Sequence, residues 1–176
     1  MSLQDDFNLP AGRGAKCGGE LEPCLAGCVS TFVANQEGSI PIFVRRAVPA
    51  DACEWTALRC ELWPDGSEEH SDEVAAYFAG TIEEPAEVLI AEDDLQTVIG
   101  FAELSIRTDV AGLEGRRTGY VEGLYVKPKA RGQNVARVLL KESRKWAHRS
   151  GCTHFASDRS DRVVVDPGFP RPKLLP

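Results

Sequence analysis

One stretch near the middle of the chain holds the groups best suited to chemistry, Tyr120-Val121-Glu122-Gly123-Leu124-Tyr125-Val126-Lys127-Pro128-Lys129-Ala130-Arg131-Gly132-Gln133-Asn134-Val135-Ala136. Tyr120 to Val126 reads as a strand, Pro128 as a turn, and the residues from about Gly132 as the start of a helix. A strand, a basic Gly-containing turn and a helix start together make an anion cradle. The unpaired amides of the first helical turn point beyond the helix, and its dipole adds partial positive charge there. Lys127, Lys129 and Arg131 put three cations beside that point in an otherwise acidic chain. A pyrophosphate fits such a place, although the same turn taken alone also reads as a plain strand-to-helix connection with solvated lysines.

The elements that would position this turn follow from hydrophobic spacing. Ile42-Phe43-Val44 reads as a strand, and Pro49-Ala50-Asp51 opens a helix with Trp55, Leu58 and Leu62 on one apolar face. Trp63-Pro64-Asp65-Gly66 stops it, and a second helix starts near Ser67 and runs to Gly80, with Glu68 and Glu69 at its positive end. Val88 to Ala91 and Val98 to Ala102 flank a turn-like Glu92 to Gln96 and predict a β-hairpin whose second strand continues through Glu103, Ser105 and Arg107. A polar, Gly-rich loop from Asp109 to Thr118 leads into the Tyr120 strand. The helix after Gly132 runs to Arg149 on a stripe of Val135, Val138, Leu139 and Trp146, Gly151 ends it, and His154 to Ser157 predicts one more strand. Residues 1–40 read as a poorly ordered extension, 41–158 as one domain, and 159–176 as an irregular tail with no helical period.

Composition narrows the classes. The chain has 176 residues, 43% hydrophobic and 27% charged, enough for one ordinary globular domain. A net charge of −7 excludes a general phosphate-backbone binder and suits a cationic partner, or simply keeps the protein soluble. No run reaches the roughly 20 apolar residues of a membrane span. The short Cys24 to Ala34 stretch makes a poor signal peptide, so the expectation is a cytoplasmic protein. Cysteines 17, 24, 28, 53, 60 and 152 form no CxxC pair and have no histidines nearby, which argues for thiols rather than a metal site. Cys53 and Cys60 read as small core residues.

The central stretch resembles the coenzyme A motif of the GNAT acetyltransferase superfamily, Arg/Gln-x-x-Gly-x-Gly/Ala, with Arg131, Asn134 and Ala136 at its three defined places. Asn134 stands where that family has glycine; asparagine accepts a left-handed backbone more readily than most residues. Leu58-Arg59-Cys60-Glu61-Leu62-Trp63-Pro64, Glu103-Leu104-Ser105-Ile106-Arg107, Val121 to Val126 and Cys152-Thr153-His154-Phe155-Ala156-Ser157-Asp158 are similar, in order and spacing, to segments of the aminoglycoside 6′-N-acetyltransferases. The resemblance covers roughly residues 42–158.

It implies an α/β (α+β) fold with a mixed, mostly antiparallel sheet flanked by helices. It also implies acetyl-coenzyme A as cosubstrate, with no metal, lying in a wedge between two splayed strands. Leu124, Tyr125 and Val126 would then pair with the pantetheine arm, and the turn of Arg131, Gly132, Gln133, Asn134, Val135 and Ala136 would receive the pyrophosphate. Glu122 matches the acid that the family places beside the reacting amine, as a general base or only as an attractor of the cation. Asp158 matches a carboxylate that contacts the drug, or is a turn cap. Trp63 resembles an aromatic of the sugar pocket, or is ordinary core. Glu68, Glu69, His70, Asp72 and Glu73 read as a negative rim or a solvated face. An amide near Leu124 or Tyr125 would serve the developing oxyanion.

After Asp158 the family continues with a helix and a closing strand pair, which Arg159 to Pro176 is too short to supply. The wall then comes from a second protomer, or the slot stays half open, or the terminus is an altered relic. An incomplete sheet leaves an edge that favours a homodimer. The leading expectation is acetyl transfer to the 6′-amine of aminoglycoside antibiotics, conferring resistance. The alternatives are a GNAT enzyme for another amine, such as a polyamine or a protein N-terminus, and a catalytically silent binding protein on the same truncated scaffold, with neither nucleic acid nor membrane as partner.

Overall fold

The computed structural model describes residues 41–66, 68–159 and 162–169. Its frame is a six-stranded sheet, β1 (Phe43–Arg46), β2 (Glu87–Glu92), β3 (Val98–Arg107), β4 (Thr118–Val126), β5 (His154–Arg159) and β6 (Arg162–Val165), with strands lying side by side in chain order. All neighbours are antiparallel except β4 and β5. Parallel neighbours need a crossover, and the helix α3 (Val135–Arg149) supplies it. The Asp93 carboxylate tightens the β2–β3 turn by accepting from the amides of Leu95 at 3.0 Å and Thr97 at 2.8 Å.

Strand alternation divides the core in two. Leu89, Ala91, Ala102, Leu104 and Val121 face α3, which buries Val135, Val138, Leu139, Trp146 and Ala147 at helical spacing. Val88, Ile90, Phe101 and Tyr125 face the other way, against Trp55 and Leu58 of α1 (Ala52–Leu62) and Val74 of α2 (His70–Ala79). Gly119 lets α3 approach closely, because a Cβ there would lie 2.5 Å from the Cβ of Ala147. Gly80 and Gly151, at φ 67° and 72°, close α2 and α3 in the left-handed conformation that glycine adopts without strain.

Several expectations need correction. Cys53 is exposed and Cys60 only half-buried, because α1 turns Trp55, Leu58 and Arg59 to the core instead. The second helix begins at His70, not near Ser67, which lies outside the described residues. The tail is not wholly irregular. Val163, Val164 and Val165 pair with Asp158, Ser157 and Ala156 as β6, β-branched residues satisfying the edge of β5 that would otherwise stay open. The chain then folds back. Phe169 stacks on Phe155 at 5.9 Å between ring centres, and Arg144 holds Asp166 at 3.0 Å and the Gly168 carbonyl at 2.8 Å. The proposed extension 1–40 lies outside the described residues, among which no helix is long and apolar enough to cross a membrane.

Candidate active site

The site begins at an irregularity in β4. Glu103 of β3 opposes Gly123 and Leu104 opposes Val121, so Glu122 is the extra residue of a bulge. A bulge re-aims side chains. Here Glu122 lies beside Ser105 and Arg107 of β3, on the same face as Gly123. The same region is where β4 and β5 part: their ladder runs from Thr118↔His154 to Val121↔Ser157, while β5 goes on to pair with β6. Leu124, Tyr125 and Val126 thus lie on the part of β4 beyond its ladder with β5.

Glu122 is tightly held. Arg107 donates from Nε to Oε1 at 2.7 Å and from Nη2 to Oε2 at 2.5 Å, and the Ser105 hydroxyl also donates to Oε1. The Arg107 guanidinium lies 4.3 Å over the Tyr120 ring, and the Tyr120 hydroxyl donates to Asp158. Burial, reinforced by that bond to a carboxylate, pushes the Tyr120 hydroxyl up to about 12. Two acids from different strands, Glu122 and the exposed Asp158, are thereby joined through one arginine and one tyrosine. Sequence reasoning assigned neither Arg107, Ser105 nor Tyr120 a role. The signal was present: Glu103, Ser105 and Arg107 form a period-two polar stripe on a strand that is otherwise buried and apolar.

Trp63 is half-buried where α1 ends, and its ring lies against Gly123, where any added Cβ would collide with it. It is wedged by Phe101, with ring centres 6.4 Å apart, and by the Arg59 guanidinium 5.4 Å from its ring. Beneath it, Trp55 Nε1 donates to the buried Glu103 at 2.8 Å, while Arg59 approaches Glu103 at 3.5 Å and Glu73 at 2.5 Å. Burial pushes the Glu103 carboxyl up, against the opposing pull of Arg59 and Trp55. His70 does not belong to a solvated rim. It is buried, with Nε2 2.9 Å from the Trp63 carbonyl, while Glu68, Glu69, Asp72 and Glu73 are exposed, Glu73 pairing with Arg59 as well.

The basic turn is shaped by two left-handed residues, Gly132 at φ 79° and Asn134 at φ 67°. Asn134 tolerates there a conformation that glycine would adopt freely, and its side chain makes no cap bond. The first helical bond runs from Val138 N to the Asn134 carbonyl at 3.0 Å, so the amides of Val135, Ala136 and Arg137 precede any intrahelical acceptor. Successive amides at such a turn form an anion-accepting concavity. The cations are less free than expected. Lys127 is paired with Glu54 at 3.2 Å, and Arg131 closes the turn from within, donating to the Val126 carbonyl at 3.0 Å and lying 5.6 Å from the Tyr125 ring. Lys129 is exposed. From the turn a groove of about 1140 Å³ runs between α3 and β5–β6, past Asn134, Arg137, Val138 and Lys141 to Phe155 and Val165. Among the described residues no three His, Cys, Asp or Glu are grouped as a metal site would require.

Residues 55–164 match the model of the acetyltransferase (GNAT) family. The chain is 44% identical over 116 residues to the aminoglycoside N(6′)-acetyltransferase type 1 of Klebsiella aerogenes, an alignment covering 65% of this chain and 76% of that one. The crystal structure of apo aminoglycoside antibiotic 6′-N-acetyltransferase AAC(6′)-Ig from Acinetobacter haemolyticus is similar at a TM-score of 0.59 and 36% identity, covering 66% of this chain and 79% of that one. AAC(6′)-Iy in complex with the bisubstrate analogue CoA-S-monomethyl-acetylneamine aligns at a TM-score of 0.59 and 30% identity, over 68% and 80% of the two chains.

Proposed function

Because the chain belongs to the acetyltransferase (GNAT) family, we propose that it transfers the acetyl group of acetyl-coenzyme A to the 6′-amine of aminoglycoside antibiotics and so confers resistance to them. The observation that carries this reading is Glu122 at the bulge of β4, by the mouth of the β4–β5 wedge, linked through Arg107 and Tyr120 to a second carboxylate, Asp158. An acceptor with several ammonium groups needs more than one carboxylate, and relatives named for this acceptor align across this region.

The residues present fit the cosubstrate. The left-handed Gly132 and Asn134 open the turn, the amides of Val135 and Ala136 can donate to a diphosphate, and Leu124 to Val126 line the wedge for the pantetheine arm. When bound, acetyl-coenzyme A would supply a thioester carbonyl as the electrophile and coenzyme A thiolate as the leaving group, its C–S bond breaking as the C–N bond forms. Glu122 takes a proton from the substrate ammonium, directly or through one water, and leaves a neutral nucleophile. Asp158 and the Trp63 ring hold the rest of the sugar, and a backbone amide near Leu124 or Tyr125 stabilises the oxyanion as it forms.

The same reading includes a cytoplasmic homodimer. Val163, Val164 and Val165 are 37–45% exposed on the outermost strand, an apolar edge that a second copy would cover. Thiol release from acetyl-coenzyme A, measured with kanamycin, spermidine and a peptide in parallel, tests the acceptor. Kanamycin-dependent turnover is expected, and turnover with the other amines alone would overturn the aminoglycoside assignment. Glu122→Gln is expected to lower turnover about 10²-fold or more; near wild-type activity removes Glu122 from the role of base.

A further inference from the structure

Glu122 and Asp158 do not stand alone in the site, and what surrounds them is more specific than an acidic pocket requires. A carboxylate has about four acceptor positions. On Glu122 three are filled, by the Ser105 hydroxyl and Arg107 Nε on Oε1 and by Arg107 Nη2 on Oε2. Among the described residues, what remains is a single direction at Oε2. The guanidinium is itself fixed by lying flat over Tyr120, whose hydroxyl is committed to Asp158. Asp109, in the loop after β3, adds its negative charge on Arg107. A merely attractive acid would do better without a resident cation, because a polycation binds more weakly where a guanidinium already sits.

We infer that Arg107, with Ser105, is a positioning residue for the proposed transfer: it locks Glu122 so that the one open acceptor position of Oε2 meets the acceptor amine, and through Tyr120 it fixes Asp158 in the same frame. The inference rests on the acceptor reading given above. A bidentate guanidinium–carboxylate pair restricts both distance and plane, which lysine does not. The lock therefore acts on the chemical step rather than on acceptor binding.

The test compares wild type with Arg107→Met, Arg107→Lys and Ser105→Ala, after thermal melting has shown that each is folded. It uses whichever amine the wild type turns over fastest among kanamycin, spermidine and the peptide. For Arg107→Met, kcat is expected to fall by about tenfold or more while KM stays within about threefold. Arg107→Lys should restore only part of kcat, and Ser105→Ala should lower kcat in the same direction by less. An unchanged kcat in Arg107→Met would overturn the inference, and so would a lower KM at unchanged kcat, which makes Arg107 a competitor of the substrate. A readout independent of turnover is the Arg107 Nε–H resonance, slow to exchange in wild type and fast in Glu122→Gln; fast exchange in both disproves the lock. Lack of kanamycin turnover in wild type fails the aminoglycoside assignment alone.

Discussion

At the scale of single residues the site is decided by which partner each polar group finds. Tyr120 is an example. Its hydroxyl is pushed up to about 12 by burial and then by the bond to Asp158, so in the folded protein it keeps its proton to higher pH than in the unfolded chain. The sign follows from linkage: the stabilisation is complete below about pH 10, where the unfolded tyrosine also keeps its proton, and is lost as pH rises toward 12. Tyr120→Phe should therefore show a shallower loss of stability than wild type between those values in denaturant melts at fixed pH. Asp158→Asn, which keeps an acceptor but removes the charge, should bring the Tyr120 ionisation down in an ultraviolet titration. If neither variant differs from wild type, the Tyr120–Asp158 bond does not form in solution.

At the scale of elements, two contacts position the site. The end of α1 meets β4 where Trp63 lies on Gly123, and Tyr125 ties the two together by donating to Glu61 at 2.5 Å. Gly123→Ala puts a methyl into the Trp63 ring and should cost about 1–3 kcal/mol, the usual penalty of overpacking, with a raised KM for the acceptor. Thermal melting and acceptor kinetics check it, and an unperturbed melting point with an unchanged KM would separate Trp63 from the acceptor pocket. The second contact is the start of α3. Asn134→Gly removes a side chain from a left-handed position and should leave stability within a few tenths of a kcal/mol and acetyl-coenzyme A affinity at least as high. Asn134→Val, β-branched at the same φ, should cost about 1–2 kcal/mol and weaken the cosubstrate in calorimetry.

At the scale of the whole molecule, the sheet closes on one side of the site and stays open on the other. α3 covers its face of β1 to β4, and beyond the splay, among the described residues, β5, β6 and the returning Asp166 to Phe169 segment form the wall of the groove opposite α3. A second copy against β6 would bury the exposed valines, so Val164→Lys should shift sedimentation from dimer toward monomer with little change in melting point. A wild type that sediments as a monomer at all concentrations tested removes the dimer from the reading.

The sequence by itself determined most of the elements up to β5 and the basic turn that precedes α3. Periodicities of two and of three to four placed the β2–β3 hairpin, the long β3, and the buried stripe of α3 from Val135 to Trp146, because these patterns depend only on which side chains must leave water. The family motif pointed to Arg131 through Ala136, a local backbone event that neighbouring residues dictate. Tertiary structure alone decided the rest. The bulge at Glu122 exists only in register against β3, and the Arg107 pair and the Tyr120–Asp158 bond join residues 15 and 38 positions apart. Lys127 turned out to be paired with Glu54, 73 positions away, for the same reason. A charge in a sequence has no partner until strands distant along the chain are laid side by side, and it is the partner that decides whether the charge is free to act.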